Sequence, residues 1–430
     1  MKRRNLIILT AVLAASTALP AFAQDAAKPY AGTRLAVLME GHPTTDGIQA
    51  LLPEFTAATG IEVELEVVPE SDITAKMLLE FSSGSGRYDV VQNNIIFVPG
   101  FVKAGYIEPL DDLAAAAPQY LDKADFVPGY LNTNVLDGKL YGLPVYGEST
   151  FVMYRKDLFE QYGIAVPKSF ADIEAAAKTI KEKSNGEITG ITMRGAQGIH
   201  SVYVWAGYLW GFGGEFVDAA GKSALATPEA AASLDAFARV LKDYGPVGVA
   251  NFGWEENRVL FQQGKAGITL DATVNGAFNE DPAVSSVVGK VGYIPVPVET
   301  TAPKGGSSSL AVHSLYVASA SANKEAAWLF ASWATAKEQQ IKSLALAPNS
   351  GVTSQAALNS DEFNSRYGAF KDAMIASINQ GNPQYLPTVP AANEIINNAG
   401  IAVSKVLAGT ASATDALAEA DAANAAALAR

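Results

Sequence analysis

The sequence predicts an α/β protein of two bodies, each built on its own sheet. Three observations lead to that class. Residues 35–91 alternate strand-like and helix-like patterns in the order β-α-β-α-β, as open α/β sheets do. The same alternation resumes beyond residue 150, after a stretch punctuated by glycine and proline. The chain is 430 residues long, more than one hydrophobic core ordinarily organises.

What precedes the first strand is a leader. Lys2, Arg3 and Arg4 form a basic segment, residues 6–13 an apolar one, and Ala21, Phe22 and Ala23 an A-x-A site. Residues 1–23 therefore read as a secretory signal peptide cleaved after Ala23. The chain has no cysteine, which leaves neither a lipid anchor at the cleavage point nor a disulfide framework. These features predict an exported, unanchored protein, with the bacterial periplasm as its compartment. A formal charge of −13 gives no attraction for phosphate backbones and argues against a nucleic-acid partner. Beyond the leader no apolar run is long enough to span a bilayer, and no internal repeat is present.

The elements follow in order. Residues 35–39 are continuously apolar, as in a central parallel strand, with Glu40 and His42 at its carboxyl end. Ile48, Leu51, Leu52 and Phe55 have helical spacing up to Gly60, with a kink or early break expected at Pro53. Ile61, Val63, Leu65 and Val67 alternate with three glutamates, the pattern of a half-buried strand near the sheet edge. A helix over 72–82 and a short strand over 88–91 lead to Gln92, Asn93 and Asn94. Ligands of open α/β sheets bind outside the carboxyl ends of the strands, so Glu40, His42, Gln92 and Asn93 are candidate contacts. Their amides suit neutral hydroxyls.

Residues 138–159 lead out of the first body. Gly142 and Pro144 mark the approach, Gly147 precedes a lone carboxylate, Glu148, and residues 151–154 read as a buried strand. That places Glu148 at a cleft between the two bodies.

In the second body Ser169 and Asp172 open a helix carrying Ile173, Ala176, Ala177 and Ile180, and a strand follows over 187–192. Residues 200–216 are the most aromatic stretch of the chain, and its start beside a strand end makes His200, Tyr203 and Trp205 candidate cleft residues. Thr227 and Pro228 open a helix reaching residue 241, Trp254 stands at the tip of a turn, and residues 255–262 are helical. A strand over 264–270 ends at Asp271 and Thr273. The glycine-serine turn at 303–309 can offer backbone N–H groups at Gly306 and Ser307 to a ligand. A strand over 310–319 and helices over 324–336, 337–346, 363–378, 391–407 and 415–430 complete the chain.

No GxSxG or HExxH word occurs, and the spacing of His42, His200 and His313 is no metal signature, so neither a metal nor a cofactor is expected. Glu148 with Asp271 supplies the pair of acids that a secreted glycoside hydrolase needs, which leaves that reading as the enzymatic alternative.

Four segments in order resemble extracellular solute-binding protein family 1, the maltose-binding-protein-like sugar receptors of ABC importers. They are residues 35–68, the YDVV and FVKAGYIEPL words at 88–110, the YGLP and YRKDLF words at 139–159, and FQQGKAG through ANKEAAW at 261–328. The resemblance implies the two-lobed periplasmic binding protein fold of type II, two α/β sheets joined by a hinge. It puts lobe I at 30–145 plus 315–348 and lobe II at 146–314 plus 351–430, with crossings near 144–148, 310–314 and 347–351. It implies one solute in the interlobe cleft, no enzymatic activity, importer membrane permease subunits as partners and a monomer. Glu148, Asn93, Tyr203 and Asp271 match ligand-contacting positions of the family, with Thr273 beside the last. Ala206 and Val274 stand where oligosaccharide binders carry tryptophans, which favours a smaller sugar or a polyol. A peptide, a polyamine or an anion is the alternative solute, and Arg194 is the arginine placed to meet an anion.

Overall fold

A computed structural model describes residues 28–300 and 304–430. The leader at 1–23, with its cleavage site, lies outside the described residues, as does Pro303.

Strand β1 (Arg34–Glu40) buries Leu35, Val37, Leu38 and Met39 completely, so both its faces are covered. Helix α1 (Pro43–Thr59) begins where the His42 ring accepts the Thr44 N–H and ends at Gly60, whose φ of 76° suits glycine. The break expected at Pro53 does not occur. Pro53 is exposed, so the carbonyl it leaves unpaired faces water, while Ile48, Leu51 and Phe55 hold both halves of the helix on the core. Strand β2 (Glu62–Val68) alternates as expected, α2 (Glu70–Ser83) follows, and β3 (Val90–Asn94) takes Gln92, Asn93 and Asn94 into the strand itself. Strand β4 (Leu143–Glu148) is followed, after the single residue Ser149, by β5 (Thr150–Arg155).

Then come α3 (Phe170–Lys183), capped by Ser169, and β6 (Thr189–Thr192). Aromatic α4 (Ile199–Gly211) and α5 (Pro228–Tyr244), capped by Thr227, are next. They are followed by α6 (Trp254–Gln262), β7 (Ala266–Ala272) and β8 (Val291–Pro295). The remainder is β9 (Ala311–Val317), α7 (Lys324–Ala334), α8 (Lys337–Leu346), α9 (Asp361–Asn379), α10 (Ala392–Leu407) and α11 (Ala413–Leu428).

The strands form two principal sheets. The first has the order β2-β1-β3-β9-β4, the second β8-β5-β7-β6. β2 at the edge of the first sheet agrees with its alternating sequence. In each sheet one strand runs against its neighbours, β9 in the first and β5 in the second. Both lie next to a passage from one sheet to the other, so the chain crosses by running straight on rather than by turning back. Helices α1, α7 and α8 pack about the first sheet, and α3, α5, α4, α10 and α11 about the second, with α9 against β5 and β8.

The passage at Ser149 is tied down. Its N–H donates to Thr273 Oγ1 (3.1 Å), its Oγ donates to the Ser309 carbonyl (2.7 Å), and its carbonyl accepts the Thr273 N–H (2.8 Å). Thr273 therefore fastens the crossing. The glycine-serine turn is packed as well. Ser308 and Ser309 pair with Gly381 and Asn382, and a Cβ at Gly306 would stand 1.9 Å from the Gln380 carbonyl oxygen.

Candidate functional site

Strand register assembles one wall of a cavity. β9 places His313 opposite Asn94 of β3 and Tyr146 of β4, and Ala311 opposite Glu148. Because side chains two apart in a strand share a face, Tyr146 with Glu148 and His313 with Ala311 point the same way. They line a cavity of about 520 Å³ whose other walls come from the end of β1, the start of α2, the β6–α4 connection, α6 and α10. The cavity thus draws on elements of both sheets.

Glu148 is its central acid. Its Oε2 accepts from the Tyr146 hydroxyl and its Oε1 from the Tyr203 hydroxyl, at 3.1 Å in the second case. Tyr203 also stands 3.0 Å from Ser309 Oγ, beside the crossing. Burial pushes the Glu148 carboxyl up to about 7, against the opposing pull of Tyr146 and Arg194. Glu40 is also buried, and its Oε1 lies 2.7 Å from His313 Nδ1. Burial acts to lower the His313 pKa, but the Glu40 carboxylate overrides it and raises the ring to about 9. His42, its ring tilted against that of Tyr146 at 4.0 Å, is held neutral by burial and by His313, its pKa lowered to about 3. Burial and Arg194 likewise lower the pKa of His200, whose Nδ1 has no partner among the described residues. Trp254 donates Nε1–H to Asn275 (2.7 Å) and faces His42 at 6.5 Å.

Glu40, His42, Asn93, Glu148, His200, Tyr203 and Trp254 line this cavity as the sequence suggests. Six candidates do not. Gln92 is fully buried and donates its amide to Glu40 Oε1 (3.0 Å), so it orients that acid. Trp205 is core, with Nε1–H on Ser233 Oγ (3.1 Å) and its ring edge-on to Phe216. Asp271 is fully buried, and its oxygens are used by Arg194, Asn257 and the Ala272 N–H. Thr273 holds Ser149. Gly306 is pressed on Gln380, and Ser307 donates to the Val296 carbonyl (2.8 Å). Trp205→Phe should accordingly lower stability by about 1–3 kcal/mol in urea denaturation and leave solute affinity unchanged. A weakened affinity would return Trp205 to the site.

Residues outside the candidate set also line the cavity. Tyr146 and His313 were legible from period-2 spacing beside Glu148 and Ala311. Asn94 belongs to the polar cluster at the end of β3. Gln197, Asn393 and Asn397 carry no signal, because amides on a loop and on a helix face read as solvated. Arg194 lines it too, two residues past β6. Among the described residues there is no cluster of three or more metal-ligating side chains.

Two α/β sheets joined by direct crossings, with a polar cavity between them, define the class of type II periplasmic binding proteins. The chain belongs to the family of bacterial extracellular solute-binding proteins, whose model matches residues 41–341. That is a family of receptors rather than enzymes. A solute-binding protein from Agrobacterium radiobacter K84, solved in complex with ribitol, is similar over 93% of this chain and 99% of its own, at 26% identity and a TM-score of 0.86. Another from Agrobacterium vitis S4, with bound D-mannitol, covers 91% and 97% at 28% identity and a TM-score of 0.81. The mannitol-binding protein of Pseudomonas aeruginosa PAO1 is 30% identical over 280 residues, 64% of this chain and 63% of that relative. The matched segment thus spans under two thirds of that relative.

Proposed function

We infer that this chain is the solute receptor of an ABC importer, exported to the periplasm after loss of its signal peptide, and that it captures a small uncharged polyol or sugar. One observation carries the reading most. A single cavity is lined from both sheets by carboxylates, amides, imidazoles and aromatic rings, the groups that hydrogen-bond hydroxyls and cover C–H faces. Ribitol and D-mannitol in the two similar structures support the solute class, and Val274, which lines the cavity where a tryptophan would extend it, supports a short solute.

In this reading the first sheet with α1, α7 and α8 is one lobe and the second sheet with its helices the other. Sheet membership favours crossings at Ser149 and Leu310, at the borders of the ranges 144–148 and 310–314. Open and closed arrangements pre-exist, and solute favours the closed one because only there does it touch both walls. The importer's permease subunits then take up the closed receptor.

A thermal-shift panel tests this. Ribitol, D-mannitol, erythritol, D-glucose, maltose, spermidine and a tripeptide would be added to the purified protein. A polyol or monosaccharide at about a hundred times its Kd is expected to raise Tm by roughly 2–5 °C. A shift with spermidine or peptide alone would overturn the solute class, and sustained turnover of a glycoside would overturn the receptor reading.

A further inference from the structure

Arg194 is the arginine that lines the cavity, and its contacts fix its orientation. Its Nε donates to both oxygens of Asp271, at 2.9 and 3.2 Å, and its Nη2 donates to Oδ1. Its Cζ lies 4.8 Å from the centroid of the Tyr203 ring. Asp271 is saturated in turn by Asn257 and by the Ala272 N–H. The guanidinium is therefore fixed in position, its planar Nε/Nη2 fork is occupied, and Nη1 has no hydrogen-bond partner among the described residues.

We propose that Arg194, braced by Asp271, selects uncharged polyols over sugar acids of the same carbon skeleton. Nη1 donates to a solute hydroxyl. A carboxylate is disfavoured because Asp271 already neutralises the cation and holds its side-on Nε/Nη2 fork, so a second carboxylate reaches only the end-on Nη1/Nη2 edge, where it stands close to the first. The rest of the lining reinforces this. His313 is paired with Glu40, Glu70 and Glu255 stand exposed at the rim with Arg258 only 4.0 Å from the latter, and Glu148 is a further acid. An anionic solute thus meets paired cations and surplus acids. Asp271 acts through Arg194 and is a positioning residue.

This rests on the polyol reading, and the experiment separates the two. Calorimetry would compare ribitol, D-mannitol and erythritol with ribonate, D-mannonate and erythronate on the wild-type chain and on Asp271→Asn. Wild type is expected to bind one of the alditols and its aldonate at least about a hundredfold more weakly. Asp271→Asn frees the fork and uncovers the charge, and should narrow that ratio by about tenfold or more, with the gain on the aldonate shrinking in high salt. A merely structural role of Asp271 would move both solutes together and leave the ratio intact, which overturns the proposal. Wild type binding the aldonate as well as the alditol overturns it too. If wild type binds no alditol while another solute binds, it is the polyol reading that fails. Asp271→Asn leaves a buried arginine unpaired, so the double variant Arg194→Met/Asp271→Leu serves if the single one does not fold, since apolar replacement of a whole buried pair is commonly tolerated. The double variant should fold and lose about tenfold or more in alditol affinity. Unchanged affinity would remove Arg194 as a solute contact.

Discussion

Glu148→Gln is expected to weaken solute binding by about tenfold to a hundredfold while making the free protein more stable at pH 8. The two effects have one cause. Glu148 sits in the cavity with two phenol donors on its oxygens, and a solute hydroxyl would add a charge-assisted bond of the kind worth about 1.5–3 kcal/mol. Its burial is costly to the charged form, which is why its pKa stands at about 7 instead of 4.5. The sign follows from linkage. A group whose folded pKa is raised contributes stability that is fully present below the unfolded value and is lost as pH rises through the folded one. The window here is pH 4.5 to 7, and the loss amounts to about 1–3 kcal/mol. Glutamine keeps an acceptor for a tyrosine hydroxyl and carries no charge to bury. Urea denaturation of both proteins at pH 4 and pH 8 should show their stability difference moving in favour of the variant at the higher pH. His313 titrates over a higher range and His42 over a lower one, but both are present in each protein and largely cancel in the difference. A stability difference that does not change with pH, or an undiminished affinity, would contradict this account.

The same cluster marks how far the sequence could be read. Both sheets, the edge position of β2 and the serine and threonine caps of α3 and α5 followed from periodicity and capping residues. These are local signals, and the structure realises them locally. The site was legible only where one residue fixed its own side-chain direction, as with Glu40 at a strand end and Tyr203 in the first turns of α4. It failed where a partner distant in sequence decided. Asp271 is an acid at a strand end in both readings, but Arg194, 77 residues earlier, takes it out of the cavity. Gln92 and Asn93 are adjacent, and the pleat sends one to Glu40 and the other to Thr74 and the cavity. The helix continues past Pro53 for the converse reason, because burial on the opposite face outweighs one lost hydrogen bond at the surface.

Gly351→Ala should have the second large effect, on stability and affinity together. On strand β4 and on the segment beside it, two glycines lie against tyrosine rings where no Cβ fits. At Gly147 a Cβ would come 2.4 Å from the Tyr130 ring, and at Gly351 it would come 1.9 Å from Cε2 of Tyr146. Gly351 also accepts the Gly147 N–H at 2.9 Å, so backbone retreat from the clash breaks that bond. If the ring moves instead, it has His42 in its path at 4.0 Å, and the hydroxyl leaves Glu148. Overpacking of this kind costs about 1–3 kcal/mol. Losing the phenol donor also leaves Glu148 harder to ionise, so solute affinity at pH 7 should drop by about tenfold. Two further variants divide the causes. Tyr146→Phe removes the donor without a clash and should reproduce most of the affinity loss with little of the destabilisation. Gly351→Ala/Tyr146→Leu removes the ring that collides, and should recover stability relative to the single alanine while affinity stays low. Should Gly351→Ala instead unfold more readily yet bind as tightly as wild type, Tyr146 is only packing and Glu148 takes its orientation from Tyr203 alone.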